Sequence, residues 1–255
     1  PLTTMLTASP VLSLLVGLLL AACGDDAGST ETPPPPPPPP AGDVIDVLAL
    51  GNSLTYTWNV PLLVQQLSAA VDGPTIRITS RAQANWSLEE HWGDLGAQAE
   101  ARSGRYAIVM MQQGASTLPA SGAHLTSWTQ AWAGIIRQGN ARPALYQVWA
   151  PVNGNLDAAI ANYEAAANAA NTGLYPVGRA WREARRLDPT IPLWSSDGLH
   201  QGPQGAWLAA LVIASVILDR PPADFPNTLP THVTAAHLTV FRQAATTAIS
   251  TAGRR

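Results

Sequence analysis

Short apolar runs alternate with longer amphipathic segments from about residue 43 to the end of the chain. The apolar runs predict strands at 44–50, 75–80, 106–111, 144–149 and, with a weaker pattern, 173–177. Between and after them, helical periodicity predicts helices at 61–71, 87–101, 122–138, 155–171, 179–187, 203–218 and 231–251. Strands that alternate with helices in this way predict an α/β fold, in which helices cover both faces of a parallel sheet.

The first residues follow a different pattern. Residues 11–20 form an apolar stretch that is too short to cross a bilayer but suits a signal peptide. Cys23, the only cysteine in the chain, follows two alanines and precedes a glycine, an arrangement that resembles a bacterial lipobox. We therefore predict a lipoprotein signal peptide over 1–23, lipidation of Cys23, and export to the bacterial cell envelope as a membrane-anchored lipoprotein. The alternative is an ordinary signal peptide with an incidental cysteine.

Residues 24–42 are predicted to be a linker. They contain an unbroken run of prolines at 33–40. Such a run adopts a polyproline II helix of about 3.1 Å per residue, so it would form a semi-rigid spacer of about 25 Å. A ligand for an SH3-type domain is the alternative interpretation. The folded domain is predicted to occupy 43–255.

Composition limits the possible partners and cofactors. The chain has a net charge of −3, and arginine supplies all of its basic residues without forming a basic patch, which argues against nucleic acid binding. Hydrophobic residues make up 46% of the 255 residues, enough for one core. The nine tryptophans indicate an aromatic core or an aromatic-lined cleft. Metal-ligand spacings, a phosphate-binding glycine loop and a dinucleotide fingerprint are all missing from the sequence, so no cofactor is predicted.

Ser53 follows the first predicted strand by a few residues. In an open parallel sheet, ligands bind beyond the carboxyl ends of the strands, so this is a position for a nucleophile. A serine hydroxyl attacks only when a base removes its proton and a third group orients that base. A serine that merely forms the turn or caps the next helix would occupy the same position.

Among the five histidines, His200 has a carboxylate close by in a tight local pattern, because Asp197 precedes it by three residues. Gly198 between them permits an unusual backbone angle, and Pro203 suits the first turn of the next helix. A turn here would bring Asp197 against one imidazole nitrogen while the other nitrogen faces Ser53. Asp197 could instead cap the next helix. His91, in a helical pattern, is either structural or part of a cleft.

The segments GNSLT (51–55) and DGLH (197–200) resemble the first and last motifs of the SGNH, or GDSL-like, hydrolase superfamily. Further segments fit a bacterial subgroup in the same order, so that the resemblance covers nearly all of 43–218; they are SLEEHW, YAIVMMQQGAS, YPVGRAW and DGLHQGPQGAWLAA. The resemblance implies a flavodoxin-like α/β/α sandwich with a parallel five-stranded sheet. It also implies a catalytic triad of Ser53, His200 and Asp197, or a Ser–His dyad as in some relatives.

The same resemblance implies an oxyanion hole with three donors. The first is the backbone N–H of Ser53, and the second is a backbone N–H for which Asn85, in AQANWS, is the best match. Asparagine stands there in place of the usual glycine and must tolerate the same backbone conformation. The third donor is a side-chain amide, for which Gln113 is the candidate and Gln112 the alternative.

The activity that the resemblance implies is that of a serine esterase that works through an acyl-enzyme. Small-molecule or polysaccharide esters are the expected substrates, with acetyl esters of carbohydrates as one candidate. Trp86 and Trp149, near predicted strand ends, could stack on a sugar or belong to the core. The alternatives are a non-catalytic binding module on the same scaffold, and a thioesterase or peptidase that uses the same triad.

Overall fold

The computed structural model describes residues 43–226 and 232–252. The predicted signal peptide, Cys23 and the proline-rich linker lie outside the described residues. Within the described ranges, no helix is both long enough and apolar enough to cross a membrane.

A five-stranded parallel sheet forms the centre of the domain, as predicted, with the strand order β2-β1-β3-β4-β5. The central strand β3 is buried along its whole length, whereas the edge strand β2 is mostly half-buried or exposed. In register, Val47 of β1 pairs with Ile108 of β3. The strands are β1 (Val44–Gly51), β2 (Thr75–Ala82), β3 (Ile108–Met111), β4 (Arg142–Tyr146) and β5 (Gly173–Tyr175).

The helices connect successive strands and follow the last one. They are α1 (Ser53–Tyr56), α2 (Val60–Ala69), α3 (Leu88–Gly93), α4 (Leu95–Ala101), α5 (Pro119–Gln138), α6 (Leu156–Ala170), α7 (Val177–Leu187), α8 (Pro203–Ile217) and α9 (Ala235–Ala252). The pairs α5–α6 and α2–α8 pack side by side, with α5 and α6 against β4 and α2 against β2. The helices thus form layers on the sheet, and the predicted α/β class is confirmed.

Several boundaries differ from the sequence-based expectations, and three of these differences have a local physical cause. The helix expected at 87–101 is two helices, because Asp94 adopts an extended conformation and its side chain caps α4 by accepting from the Gly96 N–H at 2.8 Å. Helix α5 begins at Pro119, before the expected start, since proline suits the first helical turn. Strand β4 ends at Tyr146, before the expected 149, because its partner β5 ends opposite it.

The topology places the candidate residues at one edge of the sheet. Strand β1 lies between β2, which follows it in the chain, and β3, which continues the sheet in the other direction. This reversal of strand order opens a crevice at the carboxyl ends of β1 and β3. Ser53 follows β1 at that edge, and Gln112 and Gln113 follow β3 there.

Candidate active site

The turn between β1 and α1 carries Ser53. Gly51 is the last residue of β1, and Ser53 is the first residue of α1. Asn52 between them is the N-cap, and its Oδ1 accepts from the Leu54 N–H at 3.1 Å. The N–H of a first helical residue has no partner within its own helix. Ser53 therefore offers a hydroxyl and a backbone donor at the same place.

The fully buried side chain of Gln112 holds this turn in position. Its Oε1 accepts from the Asn52 N–H and from the Thr55 hydroxyl, both at 2.8 Å. Its Nε2 donates to Asn52 Oδ1 at 2.9 Å and to the carbonyl oxygen of Gln113. Both amide hydrogens of Gln112 are thus used within the protein, which leaves neither of them for a substrate oxygen.

Close packing at the end of β1 requires glycine at position 51. A Cβ atom there would collide with Thr55 Oγ1 and Gln112 Oε1. The Gly51 carbonyl accepts from Nε2 of the buried His91 at 2.8 Å, which assigns the imidazole proton to that nitrogen. Burial lowers the pKa of His91, so its ring is neutral near pH 7. His91 therefore supports the strand that leads to Ser53.

Asn85 lies in an exposed turn shortly after β2. Its φ of 63° is in the left-handed region, which asparagine tolerates better than most residues. The next residue, Trp86, accepts a hydrogen bond from Asn52 Nδ2 to its carbonyl at 2.9 Å, which ties this turn to the N-cap of α1. Among the described residues, the Asn85 N–H has no hydrogen-bond partner. It is free to donate to a substrate.

Gln113 is buried, but its amide is less fully used than that of Gln112. Its Oε1 accepts from the Leu88 N–H at 3.4 Å, and its Nε2 donates to Ser116 Oγ at 3.0 Å. The Tyr163 hydroxyl donates to the Gln113 carbonyl at 2.7 Å and fixes the backbone. Within the described part of the chain, one amide hydrogen of Gln113 has no protein partner.

Asp197 and His200 are joined in the turn that precedes α8. His200 Nδ1 lies 2.6 Å from Asp197 Oδ2. Asp197 Oδ1 accepts from Ser195 Oγ at 2.7 Å and from the N–H groups of Leu199 and His200 at 2.8 and 2.9 Å. These bonds, with the one to the His200 ring as the largest cause, hold the pKa of the Asp197 carboxyl well below its ordinary value. Gly198 has a φ of 68°, as the predicted turn requires.

Gln201 fastens the histidine turn to the helix that begins with Ser53. Its buried Nε2 donates to the carbonyl oxygens of Leu54 at 3.0 Å and Thr57 at 2.7 Å. His200 is the adjacent residue, so the turn that carries the Asp197–His200 pair lies beside α1. In the described structure the Ser53 hydroxyl and His200 Nε2 are not hydrogen-bonded to each other. Catalytic contacts of this kind often close only when substrate binds.

The fold therefore brings the sequence-predicted site residues to one corner of the domain. Sequence reasoning gave no role to Gln201 and considered Gln112 only as the alternative oxyanion donor. In the structure, Gln201 ties the histidine turn to α1, and Gln112 holds the turn before Ser53. The position of Gln201 could have indicated its supporting role, because it directly follows His200 and precedes an apolar helix. The supporting role of Gln112 gave no such signal, because the adjacent Gln113 is the same residue type and the sequence does not distinguish their roles.

The two tryptophans considered as sugar platforms differ in their surroundings. Trp149 is buried and stacks face to face on Trp181, with ring centroids 3.9 Å apart, so it belongs to the core. Trp86 is half-buried and packs edge-on against His91 at 4.9 Å.

A cavity of about 920 Å³ lies away from this corner. Ile108, Arg142 and Gly173, the first residues of β3, β4 and β5, are among the residues that line it, and none of the predicted site residues does. Among the described residues, no group of histidine, cysteine or carboxylate side chains could hold a metal ion.

Comparisons with known proteins identify the fold. No protein-family model and no curated protein matches the sequence. A solved structure of a DUF4886 family protein from Bacteroides uniformis has a TM-score of 0.69 and 20% identity, covering 81% of this chain and 95% of that one. A candidate SGNH hydrolase from Slackia heliotrinireducens has a TM-score of 0.56 and 23% identity, with coverages of 68% and 98%.

The esterase EstA from Pseudoalteromonas sp., in a structure inhibited by monoethylphosphonate, has a TM-score of 0.51 and 18% identity, covering 68% of this chain and 97% of that one. Identities this low show the fold alone. The chain has the fold of the SGNH hydrolases, which confirms at the level of structure the resemblance seen in the sequence.

Proposed function

We propose that the chain is a serine ester hydrolase, with Ser53 as nucleophile and His200 as general base. The observation that carries this proposal is the pair of hydrogen bonds from Gln201 Nε2 to the carbonyls of Leu54 and Thr57. These bonds hold the turn of the Asp197–His200 pair beside the helix that Ser53 begins. A histidine oriented by a carboxylate activates a hydroxyl that is otherwise a poor nucleophile. The hydrolases and esterases among the structural neighbours support the same class.

In the proposed mechanism, His200 Nε2 removes the proton of Ser53 as its oxygen attacks the ester carbonyl carbon. The tetrahedral intermediate collapses, its bond to the alcohol oxygen breaks, and His200 returns the proton to the departing alcohol. Water, deprotonated by His200, then attacks the acyl-enzyme and releases the carboxylic acid and Ser53. Asp197 holds the imidazole proton on Nδ1, which keeps Nε2 free to accept the proton of Ser53.

The negative charge of the intermediate needs donors on the side of Ser53 opposite the base. The N–H groups of Ser53 and Asn85 and the unused amide hydrogen of Gln113 are the proposed donors. The Gln112 amide, the Thr55 hydroxyl and the Tyr163 hydroxyl, which support these donors, are hydrogen-bonded within the protein, so the donors do not have to reorganise as charge develops.

The cellular setting remains a proposal from the sequence. A lipid on Cys23 and the proline-rich linker would hold the enzyme at the bacterial cell envelope, where small acyl esters would be its substrates. Acetylated polysaccharide is the alternative substrate, which the comparison of alcohols described below distinguishes. Neither the net charge of −3 nor the site residues give a reason to propose nucleic acid or a cofactor as a ligand.

Labelling with a fluorophosphonate tests the proposed chemistry. The purified chain from Asp43 onward is expected to form one covalent adduct, located on Ser53 by mass spectrometry, and to hydrolyse p-nitrophenyl acetate at a rate that falls as the adduct forms. Heat-denatured protein is the control. If native protein forms no adduct on Ser53 and hydrolyses no ester, the chain is a binding module on this fold and the proposal is wrong.

The two adjacent glutamines are expected to respond differently to replacement by alanine. Gln113→Ala removes an oxyanion donor and is expected to lower kcat for p-nitrophenyl acetate about 10²–10³-fold. Gln112→Ala leaves Asn52 and Thr55 without buried partners and is expected to lower the free energy of unfolding by about 2–4 kcal/mol. Urea unfolding measures the second effect. If Gln112→Ala lost turnover at unchanged stability while Gln113→Ala stayed active, the assignments would be reversed.

A further inference from the structure

Large apolar side chains are exposed on the segments that carry the nucleophile and the base, and on the loop after β4 that is hydrogen-bonded to the turn of the base. Trp58, Val152 and Leu199 are 49%, 47% and 41% exposed. Trp58 follows Ser53 by five residues, and Leu199 directly precedes His200. We call these three side chains the apolar collar. Exposed apolar groups that gather at one place on a protein surface commonly mark a binding site.

Trp58 is the only one of the nine tryptophans that is exposed rather than partly or fully buried. The carbonyl of the preceding Thr57 accepts from Gln201 Nε2 at 2.7 Å, which places the backbone that leads into Trp58 beside the residue that follows His200. The ring of His232 packs edge-on against that of Trp58, with centroids 5.8 Å apart. Its φ of 55° is unusual for a bulky residue, and such conformations persist where the surrounding structure enforces them.

Val152 and Leu199 belong to the same side of the site. The Val152 N–H donates to the Gly198 carbonyl at 2.8 Å, and a Cβ at Gly198 would lie 2.9 Å from a Val152 methyl group. The Leu199 N–H donates to Asp197 Oδ1, and its carbonyl accepts from Trp149 Nε1 at 3.0 Å. The backbone polar groups of Leu199 are thus satisfied, and the turn presents apolar side chains next to the base.

The proposed mechanism determines which part of an ester meets the collar. His200 must reach the departing oxygen to protonate it, so the alcohol portion lies on the His200 side of Ser53. The carbonyl oxygen lies on the other side, toward the donors Asn85 and Gln113. Ser53 therefore separates a polar side, which binds the carbonyl oxygen, from an apolar side, which receives the alcohol.

On the basis of the proposed function, we propose that the apolar collar binds the alcohol portion of the substrate and selects esters of aliphatic or aromatic alcohols. A polyol would place several hydroxyl groups against Val152 and Leu199, whose side chains offer no hydrogen-bond partner. An apolar alcohol loses nothing there and gains contact with all three side chains.

Acetate esters that differ only in the alcohol test this proposal. Methyl, hexyl and benzyl acetate share one acyl group and have alcohols of similar acidity, and acetylated xylo-oligosaccharide supplies the sugar alternative. We expect kcat/KM for hexyl and benzyl acetate to exceed that for methyl acetate about ten-fold or more. Trp58→Ala and Leu199→Ala are expected to lower the two larger values about three- to ten-fold more than the methyl acetate value.

Leu95→Ala is the matched control, because Leu95 is 75% exposed on α4 and lies outside the collar; its substrate preference is expected to equal that of the wild type. An active enzyme whose preference is unchanged in both collar variants, or one that prefers the acetylated oligosaccharide, would overturn this proposal alone. Absence of hydrolysis of every ester together with absence of a fluorophosphonate adduct on Ser53 would overturn the proposed function, and the collar proposal with it.

Discussion

Ser53→Ala is expected to lower kcat for p-nitrophenyl acetate about 10⁶-fold, to a residual rate that depends on the oxyanion donors and binding alone. Two other hydroxyls described near Ser53, those of Thr55 and Ser116, are engaged within the protein and do not replace it as nucleophile. The nearest hydroxyl in sequence, that of Thr55, donates to Gln112 Oε1 at 2.8 Å and is buried. Ser116 Oγ donates to the Gly114 carbonyl at 3.1 Å and accepts from Gln113.

Ser127→Ala is the matched control for this variant. Ser127 is exposed on α5, where its hydroxyl donates to the Ala123 carbonyl, and its loss is expected to leave kcat unchanged. Thermal unfolding of both variants shows whether each retains its fold. If folded Ser53→Ala kept more than about a tenth of the wild-type kcat, a different residue would be the nucleophile.

The fold could be predicted because its strongest determinants are local. The run that ends at Gly51 and the run that ends at Met111 are both continuous and apolar, which is typical of parallel strands buried on two faces. The resemblance to SGNH hydrolases then fixed the order of the motifs around Ser53 and His200. Gly198 correctly indicated the tight turn between Asp197 and His200 that the structure shows.

The parts that could not be predicted depend on contacts between distant segments. Gln201 bonds to carbonyl groups that lie about 145 residues earlier in the chain, and Gln112 reaches back to Asn52 across 60 residues. The residues near Gln201 and Gln112 in the sequence do not indicate these hydrogen-bond partners. Likewise, a strand-end tryptophan such as Trp149 gives no sign of whether it faces a cleft until Trp181 is found stacked on it. The assignment of roles to Gln112 and Gln113 therefore needed the hydrogen-bond geometry.

Asp197→Asn is expected to lower kcat about 10⁴-fold with little change in structure. Asp197 Oδ1 accepts from Ser195 Oγ and from two backbone N–H groups, so the oxygen of an asparagine must occupy that position. Its NH₂ group then faces His200 Nδ1 and donates to it. The imidazole proton is forced onto Nε2, which can no longer accept the proton of Ser53.

Ser195→Ala is the control for this variant, because it removes one donor to Asp197 Oδ1 and leaves the 2.6 Å contact with His200 Nδ1 in place. Its kcat is expected to fall less than about ten-fold. If Asp197→Asn also stayed within about ten-fold of the wild type, the enzyme would work as a Ser–His dyad.

The pH dependence follows from the low pKa of the Asp197 carboxyl. A carboxyl whose pKa is lowered on folding contributes stability that is fully present above its unfolded pKa, about 3.9, and is lost as the pH falls through the folded value. Protonation of Asp197 is therefore expected to cost no activity above about pH 4. In initial-rate assays from pH 4 upward, protonation of the Asp197 carboxyl is therefore expected to cause no fall in kcat, either in the wild type or in Ser195→Ala. An NMR titration of the Asp197 side-chain carboxyl carbon with a midpoint above about pH 4 would contradict the geometry of its four hydrogen bonds.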